Sequence, residues 1–339
     1  MLTRKNALFL LSLLMVVVFA VSGCGGSDKK PEAKPAAAGP QTIKLAHVVN
    51  EKDGFHVAAV KFKELVEART KGAVKVEIFP NASLGDERTL IEGMQIGTVA
   101  MGVITNGPVA NFLPEIAAFE MPFMFASPEE AYKVLDGAVG KKVLDKLDAI
   151  NLKGLAYAER GFRNLTNSKK PVLTPADMAG LKIRVMENPV YIDTFKTLGT
   201  NAVPMAWTEA LTALQQGTID GQENPINVIY SFKLNETQKY LTMTRHSYSP
   251  ALFLMSKKVF SSFNAETQDI LVKSAQEAAV FERKWNAEQL TEQLKALKEK
   301  GMQIAEPDTA AFQAAVKPVY DKYGPKFGTL LEDINKAKK

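Results

Sequence analysis

The chain has 339 residues, 46% of them apolar and 23% charged, with a formal charge of +5. That is the composition of a soluble globular protein long enough for two domains, and the charge is too small and too dispersed for a nucleic-acid binder. A single cysteine, Cys24, excludes an internal disulfide, and three histidines, His47, His56 and His246, form no cluster at metal-ligand spacing, so no redox role, metal or other cofactor is expected.

Arg4 and Lys5 precede an apolar run from Ala7 to Val21 broken only by Ser12. This is the pattern of a signal peptide over residues 1–23, too short to span a membrane comfortably. The run ends in Val21-Ser-Gly-Cys24, similar to the lipobox of bacterial lipoproteins, which implies cleavage before Cys24 and a lipid on its thiol. Acyl chains contribute roughly 0.8 kcal/mol per buried CH₂, so several would anchor the chain firmly. The alternative is a soluble secreted protein with a stray cysteine. Residues 24–41, rich in Gly, Pro, Ala and Lys, carry too few large apolar groups to fold and read as a tether.

Folded structure is expected from Thr42–His47, a short strand, followed by a helix over Gly54–Thr70 with Val60, Phe62, Leu65 and Val66 as apolar positions. Val74–Phe79 alternates as a strand, Glu87–Ile96 reads as a helix and Val99–Ile104 as a strand. Strand–helix–strand alternation predicts a parallel α/β sheet with ligands at the carboxyl ends of its strands. Ser127-Pro-Glu-Glu130 has the form of a capping box, predicting a helix to about Leu135. Gly140-Lys-Lys142 is not a phosphate loop, because no Ser or Thr follows the lysine. Leu155–Ala158 reads as a strand leading into Glu159-Arg160-Gly-Phe-Arg163, and the polar composition after it places a domain crossing near residue 160.

The densest information lies between Asp177 and Pro225. Gly180-Leu-Lys-Ile-Arg-Val185 predicts a strand with Lys182 and Arg184 on one face and Ile183 and Val185 on the other. Asn188-Pro189 starts a helix whose apolar face is Tyr191, Ile192, Phe195 and Leu198, ended by Gly199. Ala202–Met205 is a second strand, Thr208 is placed to cap a helix over Glu209–Gln216, and Asp220-Gly-Gln-Glu-Asn-Pro225 is a polar turn. An arginine near a strand end, an aromatic before a helix and an amide in a loop suit capture of a small carboxylate, which a guanidinium matches in two parallel hydrogen bonds. The alternative for Arg184 is a surface residue paired with a nearby Glu. Further on, Ser247–Ser256 reads as a strand returning to the first domain. Asn264–Lys300 is helical in pattern, as one helix or two, with Ile270, Leu271, Ala278, Phe281, Trp285, Leu290 and Leu297 spaced for burial and Phe281 and Trp285 assigned to the core.

Taken together, Gly180–Val185, Pro204-Met-Ala-Trp207, Ala210-Leu-Thr-Ala-Leu-Gln-Gln-Gly217 and Asp220–Pro225 closely resemble the substrate-binding proteins of tripartite ATP-independent periplasmic (TRAP) transporters, in the C4-dicarboxylate-receptor family. The likeness runs from about residue 41 to the C-terminus. It implies a two-lobed α/β periplasmic binding protein of the type II-like, Venus-flytrap form. Each lobe would hold a mixed, mostly parallel sheet flanked by helices, with one long helix spanning both. The lobes would comprise residues 42–160 plus 250–289 and residues 161–249 plus 290–339. It also implies that Arg184 salt-bridges a ligand carboxylate, that Arg163 is a second cation in the cleft, that Asn224 is a supporting amide and that Trp207 is an aromatic wall. Ligand-facing positions at Thr105 and Glu87 are implied as well. For Arg163 an interdomain salt bridge is the alternative, and for Thr105 and Glu87 ordinary turn chemistry. Trp207 is bulkier than the phenylalanine expected there, and Met186-Glu187 departs from the proline-containing segment common in the family.

The function so implied is an exported receptor, lipid-anchored in the periplasm or at the cell surface, that binds a small organic acid and delivers it to integral-membrane TRAP permease subunits. The rivals are an exported carboxylate-processing enzyme and a receptor for another import or sensor system. For the enzyme there is no Gly-x-Ser-x-Gly elbow and no histidine among triad partners, so no catalytic residue is assigned.

Overall fold

The computed structural model of the chain describes residues 41–339. The signal peptide, Cys24 and the tether up to Pro40 lie outside the described residues. Gln41, expected as the last residue of the tether, instead opens the first strand, its N–H bonded to Ala73 O at 2.9 Å.

The first half alternates as the sequence predicts: β1 (Gln41–Ala46), α1 (Gly54–Arg69), β2 (Val74–Phe79), α2 (Glu87–Ile96) and β3 (Met101–Thr105). Asp53 caps α1 by accepting from Phe55 N–H, and Asp86 caps α2 by accepting from Thr89 N–H, each satisfying a donor that a helix start leaves free. β1 pairs parallel with both β2 and β3, so the chain ends of all three strands face one edge. Ser127 caps α3 (Pro128–Leu135) through Glu130 N–H, while the Glu130 carboxylate reaches back to Ala126 N–H rather than to the cap residue itself.

β4 (Leu152–Asn167) follows, then β5 (Lys182–Val185), α4 (Pro189–Thr197), β6 (Asn201–Pro204), α5 (Trp207–Gln215), β7 (Gly221–Asn224) and α6 (Ile226–Ser231). The chain returns through β8 (Tyr240–Ser256), α7 (Ala265–Glu299) and β9 (Gln303–Ala305). The nine strands of the described residues form one sheet in the order β2-β1-β3-β8-β4-β7-β5-β6, with β9 beside β8. Two parallel triplets, β2-β1-β3 and β7-β5-β6, flank the antiparallel pair β4 and β8. The two halves therefore share strands rather than carrying separate sheets.

That continuity rests on β4 and β8, both far longer than the sequence suggests: 16 and 17 residues. The sequence reading ends β4 at Ala158, before Glu159-Arg160-Gly-Phe-Arg163, and places a domain crossing near residue 160 because the composition turns polar around Thr166–Lys170. In the fold the side chains of Glu159, Arg160 and Arg163 are buried and the backbone there is held by β8, whose pairing runs from Leu152↔Ser256 to Asn167↔Tyr240. Register shifts between Gly154 and Ala156, Glu159 and Gly161, and Arg163 and Leu165 break the alternation from which a strand is recognised.

α7 is one helix of 35 residues. Leu271, Ala278 and Leu297 are buried as expected, but Phe281 and Leu290 are exposed and Trp285 is only half-buried. The face turned to the sheet in mid-helix is polar instead. Glu282 accepts from Glu159 N–H at 3.0 Å and Arg283 donates to Tyr157 O at 2.7 Å. Irregular backbone at the register shift needs partners, so polar residues take the inner face and Phe281 turns outward, under the Lys61 ammonium 5.2 Å from its ring. Among the described residues, no helix is long and apolar enough to cross a membrane.

At the seam between β4 and β7, a Cβ added to Gly221 would fall 2.1 Å from Thr166 O. Gly221→Ala is expected to lower the free energy of unfolding by about 1–3 kcal/mol. Urea unfolding checks it. The midpoint should fall at constant slope, and an unmoved midpoint would contradict the close approach of the two strands.

Candidate functional site

The carboxyl ends of the parallel strands converge on one place. Thr105 ends β3, Glu87 opens α2 after β2, Arg184 sits one residue before the end of β5, and Trp207 follows β6. Asn224 ends β7. From the middle of β4 comes Arg163. These six, all anticipated from the sequence, line a single cavity of about 20 Å³, room for about one water. Val48, Arg160, Met186 and Val228 complete its wall and were not anticipated.

Arg160 and Arg163 are three residues apart, which in a regular strand puts them on opposite faces. The register shift between Glu159 and Gly161, with Gly161 at φ 103°, makes Arg160 an extra residue and turns both guanidinium groups to the same cavity. A glycine between two arginines was the only sequence sign of this bulge.

The three arginines differ in what neutralises them. Arg163 is almost completely buried and forms a two-pronged ion pair with Glu223, through Nε and through Nη2 to Oε1 at 2.8 Å; Nη2 also donates to Glu223 O at 2.6 Å. Burial disfavours its charge, but the Glu223 carboxylate more than compensates and holds the guanidinium above its ordinary pKa. Burial would likewise raise the Glu223 carboxyl, and Arg163 and His246 outweigh it to keep that pKa below the usual range. His246 Nε2 lies 3.1 Å from Glu223 Oε2. Arg160 donates to Asp53 Oδ1 at 2.8 Å and stacks on Phe55 at 3.8 Å. Both of these cations have an anion of their own.

Arg184 has none. It is 4% exposed, and among the described residues it forms no ion pair. Its partner is a carbonyl: Nε and Nη2 donate to Met205 O at 3.0 and 2.7 Å. Burial pulls its pKa down to about 10, and Glu223, Glu87 and Glu187 recover only part of the loss. Of the five N–H donors of a guanidinium, this leaves both on Nη1 and one on Nη2, which is the end-on edge that meets a carboxylate in two parallel bonds. The surface pairing with a Glu considered for Arg184 is absent.

Trp207 packs its ring edge-to-face on Phe232 at 5.1 Å and faces the Arg184 guanidinium at 5.5 Å. Its buried Nε1–H has no acceptor among the described residues. Trp207 is the first residue of α5 rather than its approach: the chain is extended at Ala206 (ψ 157°), so Thr208 is the second helical residue and caps nothing. Glu87 is fixed by Thr105 N–H at 2.6 Å, and Asn224 Nδ2 donates to Gln222 Oε1 at 2.6 Å. Across the cleft, Asn188 Nδ2 bonds Gly107 O at 3.2 Å and Asn111 Nδ2 bonds Glu187 O at 2.5 Å, tying the two halves over the cavity. Among the described residues no group of three or more His, Cys, Asp or Glu is placed to hold a metal ion.

The model of the bacterial extracellular solute-binding proteins, family 7, matches residues 45–326. The 2,3-diketo-L-gulonate-binding periplasmic protein of Escherichia coli K12 is 39% identical over 302 residues, 88% of this chain and 92% of that one. Among solved structures, a TRAP periplasmic solute-binding protein from Bordetella bronchispeptica, with density assigned to pantoate, superposes with a TM-score of 0.86 at 41% identity, covering 88% of this chain and all of that one. Another, from Polaromonas sp. JS666 bound to D-erythronate, gives 0.85 at 41%, covering 88% and 98%.

Behind Arg163 lies a second buried carboxyl. Glu120 accepts from Ser249 Oγ at 2.5 Å, Asn106 Nδ2 at 2.9 Å and Tyr191 OH at 3.2 Å, yet burial outweighs these and raises its pKa to about 7. A carboxyl raised on folding favours its protonated form, so its contribution is complete below the unfolded value of 4.5 and is lost as pH rises through about 7. Relative to Glu120→Gln, which mimics the protonated group, the wild type should lose up to roughly 3 kcal/mol across that window. Urea unfolding of both proteins at pH 5 and pH 8 checks this. A difference that does not change with pH would contradict it.

Proposed function

We propose that this chain, which belongs to the bacterial extracellular solute-binding proteins of family 7, takes a short hydroxylated monocarboxylic acid into the cleft at Arg184. The observation that carries the reading is a buried guanidinium without a counter-ion, its end-on edge free. A buried cation lacking an anion is strongly unfavourable, and a ligand carboxylate removes the deficit.

The same electrostatics argue for one carboxylate rather than two. Arg163 is matched by Glu223 and Arg160 by Asp53, so a second ligand carboxylate would meet no unmatched arginine and would face Glu87. Hydroxyl groups suit the rest of the wall: the Glu87 carboxylate accepts from them, and Asn224 answers their oxygens. This favours an aldonate-like acid over a C4-dicarboxylate. D-erythronate and pantoate, named for two of the similar structures, are both hydroxylated monocarboxylates on a four-carbon chain.

In this reading the lobes are residues 42–160 with 250–289 and residues 161–249 with 290–339, closing by a hinge on β4, β8 and α7. The closed form presents the acid, unchanged, to TRAP permease subunits in the membrane. The Val21–Cys24 sequence supports export with a lipid on Cys24, which would hold the receptor beside that permease.

Arg184→Ala should weaken binding of D-erythronate by about 2–5 kcal/mol, since it leaves a carboxylate desolvated without its partner. That is roughly thirty-fold to a few thousand-fold in Kd. Arg184→Lys should also bind poorly, because an ammonium lacks the planar fork. Titration calorimetry of the three proteins decides it, and equal affinity in wild type and Arg184→Ala would remove the anchor.

A further inference from the structure

We propose that Met186 sets the length of acid the site accepts, by closing the passage from the Arg184 cavity into a second cavity beside it. This rests on the reading of the site as one for hydroxylated monocarboxylates and adds what limits their size.

The second cavity is also about 20 Å³. Val48, Glu87, Arg184, Met186 and Trp207 line both, so these five side chains form the waist between them. Four are fixed. Glu87 is held by Thr105 N–H and Arg184 by Met205 O. Trp207 is packed against Phe232, and Val48 is short and branched, with a single torsion to turn. Met186 is different: buried, unbranched, and with no hydrogen bond to its side chain among the described residues. Its thioether reaches across the cleft to the glycine of Thr105-Asn-Gly-Pro108, where an added Cβ would sit 2.7 Å from Met186 Cε and 2.9 Å from its Sδ. Three soft torsions let such a side chain fill a gap or leave it.

Beyond the waist, the second cavity is lined by Asp86, Glu187 and Thr208 among others, and by Arg88, which is paired with Glu92 at 3.1 Å. The oxygens of Asp86, Glu187 and Thr208 suit the hydroxyl groups of a polyol tail. Each cavity alone has room for about one water. A carboxylate on Arg184 fills the first cavity, and the carbon chain behind it must pass Met186.

The test is calorimetric titration of D-erythronate (four carbons) and D-galactonate (six carbons) into wild type, Met186→Ala and Met186→Leu. Wild type should bind erythronate more tightly. In Met186→Ala the affinity ratio should move toward galactonate by at least about tenfold, the scale on which pocket volume discriminates carbon units. Met186→Leu, of similar volume, should keep the wild-type ratio within about threefold. An unchanged ratio in Met186→Ala, or a wild type that prefers galactonate, overturns the gauge while leaving the acid-binding reading intact. Loss of both acids in a Met186→Ala protein whose thermal unfolding matches wild type also overturns it, because removing a spacer leaves Arg184 and its contacts in place. A wild type that binds neither acid overturns the acid-binding reading first, and the gauge with it.

Discussion

The site depends on one buried guanidinium held by a carbonyl instead of a carboxylate. Arg184 spends two N–H groups on Met205 O, which fixes the plane of the fork without neutralising it. A protein that buries a cation this way must stabilise it from elsewhere: Glu223 and Asp53 are committed to Arg163 and Arg160, and Glu87 and Glu187 offset only part of the burial. In the proposed function, the remaining acceptor is a carboxylate of the acid that enters the cleft. Rigid placement before binding limits the ordering entropy that association must overcome, and the absent counter-ion gives the affinity its sign.

Placing Arg184 requires the shared sheet. β5 supplies it next to β7, β7 pairs with β4, and β4 runs on into the other half beside β8. The cavity wall therefore includes residues from the parallel triplets on both sides and from the crossing strand. Where β4 crosses, its register shifts and its side chains become polar; Glu282 and Arg283 of α7 satisfy the backbone there. A strand that is irregular and held by side-chain hydrogen bonds is easier to bend than one locked in a regular ladder. In the proposed closure, hinge and cavity wall are the same residues, with Arg160 belonging to both.

Much of this was legible in the sequence. The alternation in Val74–Phe79, the caps at Asn188 and Ser127 and the glycine stop at Gly199 are local signals, and the fold honours them. All six residues assigned to the cleft by resemblance meet at one cavity. What the sequence concealed was set by distant contacts. Burial of Arg160 follows from a bulge, and the length of β4 from pairing with a strand some eighty residues later. The apolar spacing of Phe281 and Leu290 suggested a core face that α7 gives instead to Glu282, Arg283 and Asn286. The pairing of Arg163 with Glu223 had no local sign either, since the two lie sixty residues apart.

The most direct test is a crystal structure of the chain with D-erythronate. The account predicts the ligand carboxylate on Nη1 and Nη2 of Arg184 at about 2.7–2.9 Å, with Arg163 still paired to Glu223 and Arg160 to Asp53. A carboxylate seated on Arg160 or Arg163, with Glu223 or Asp53 displaced and Arg184 untouched, would contradict it.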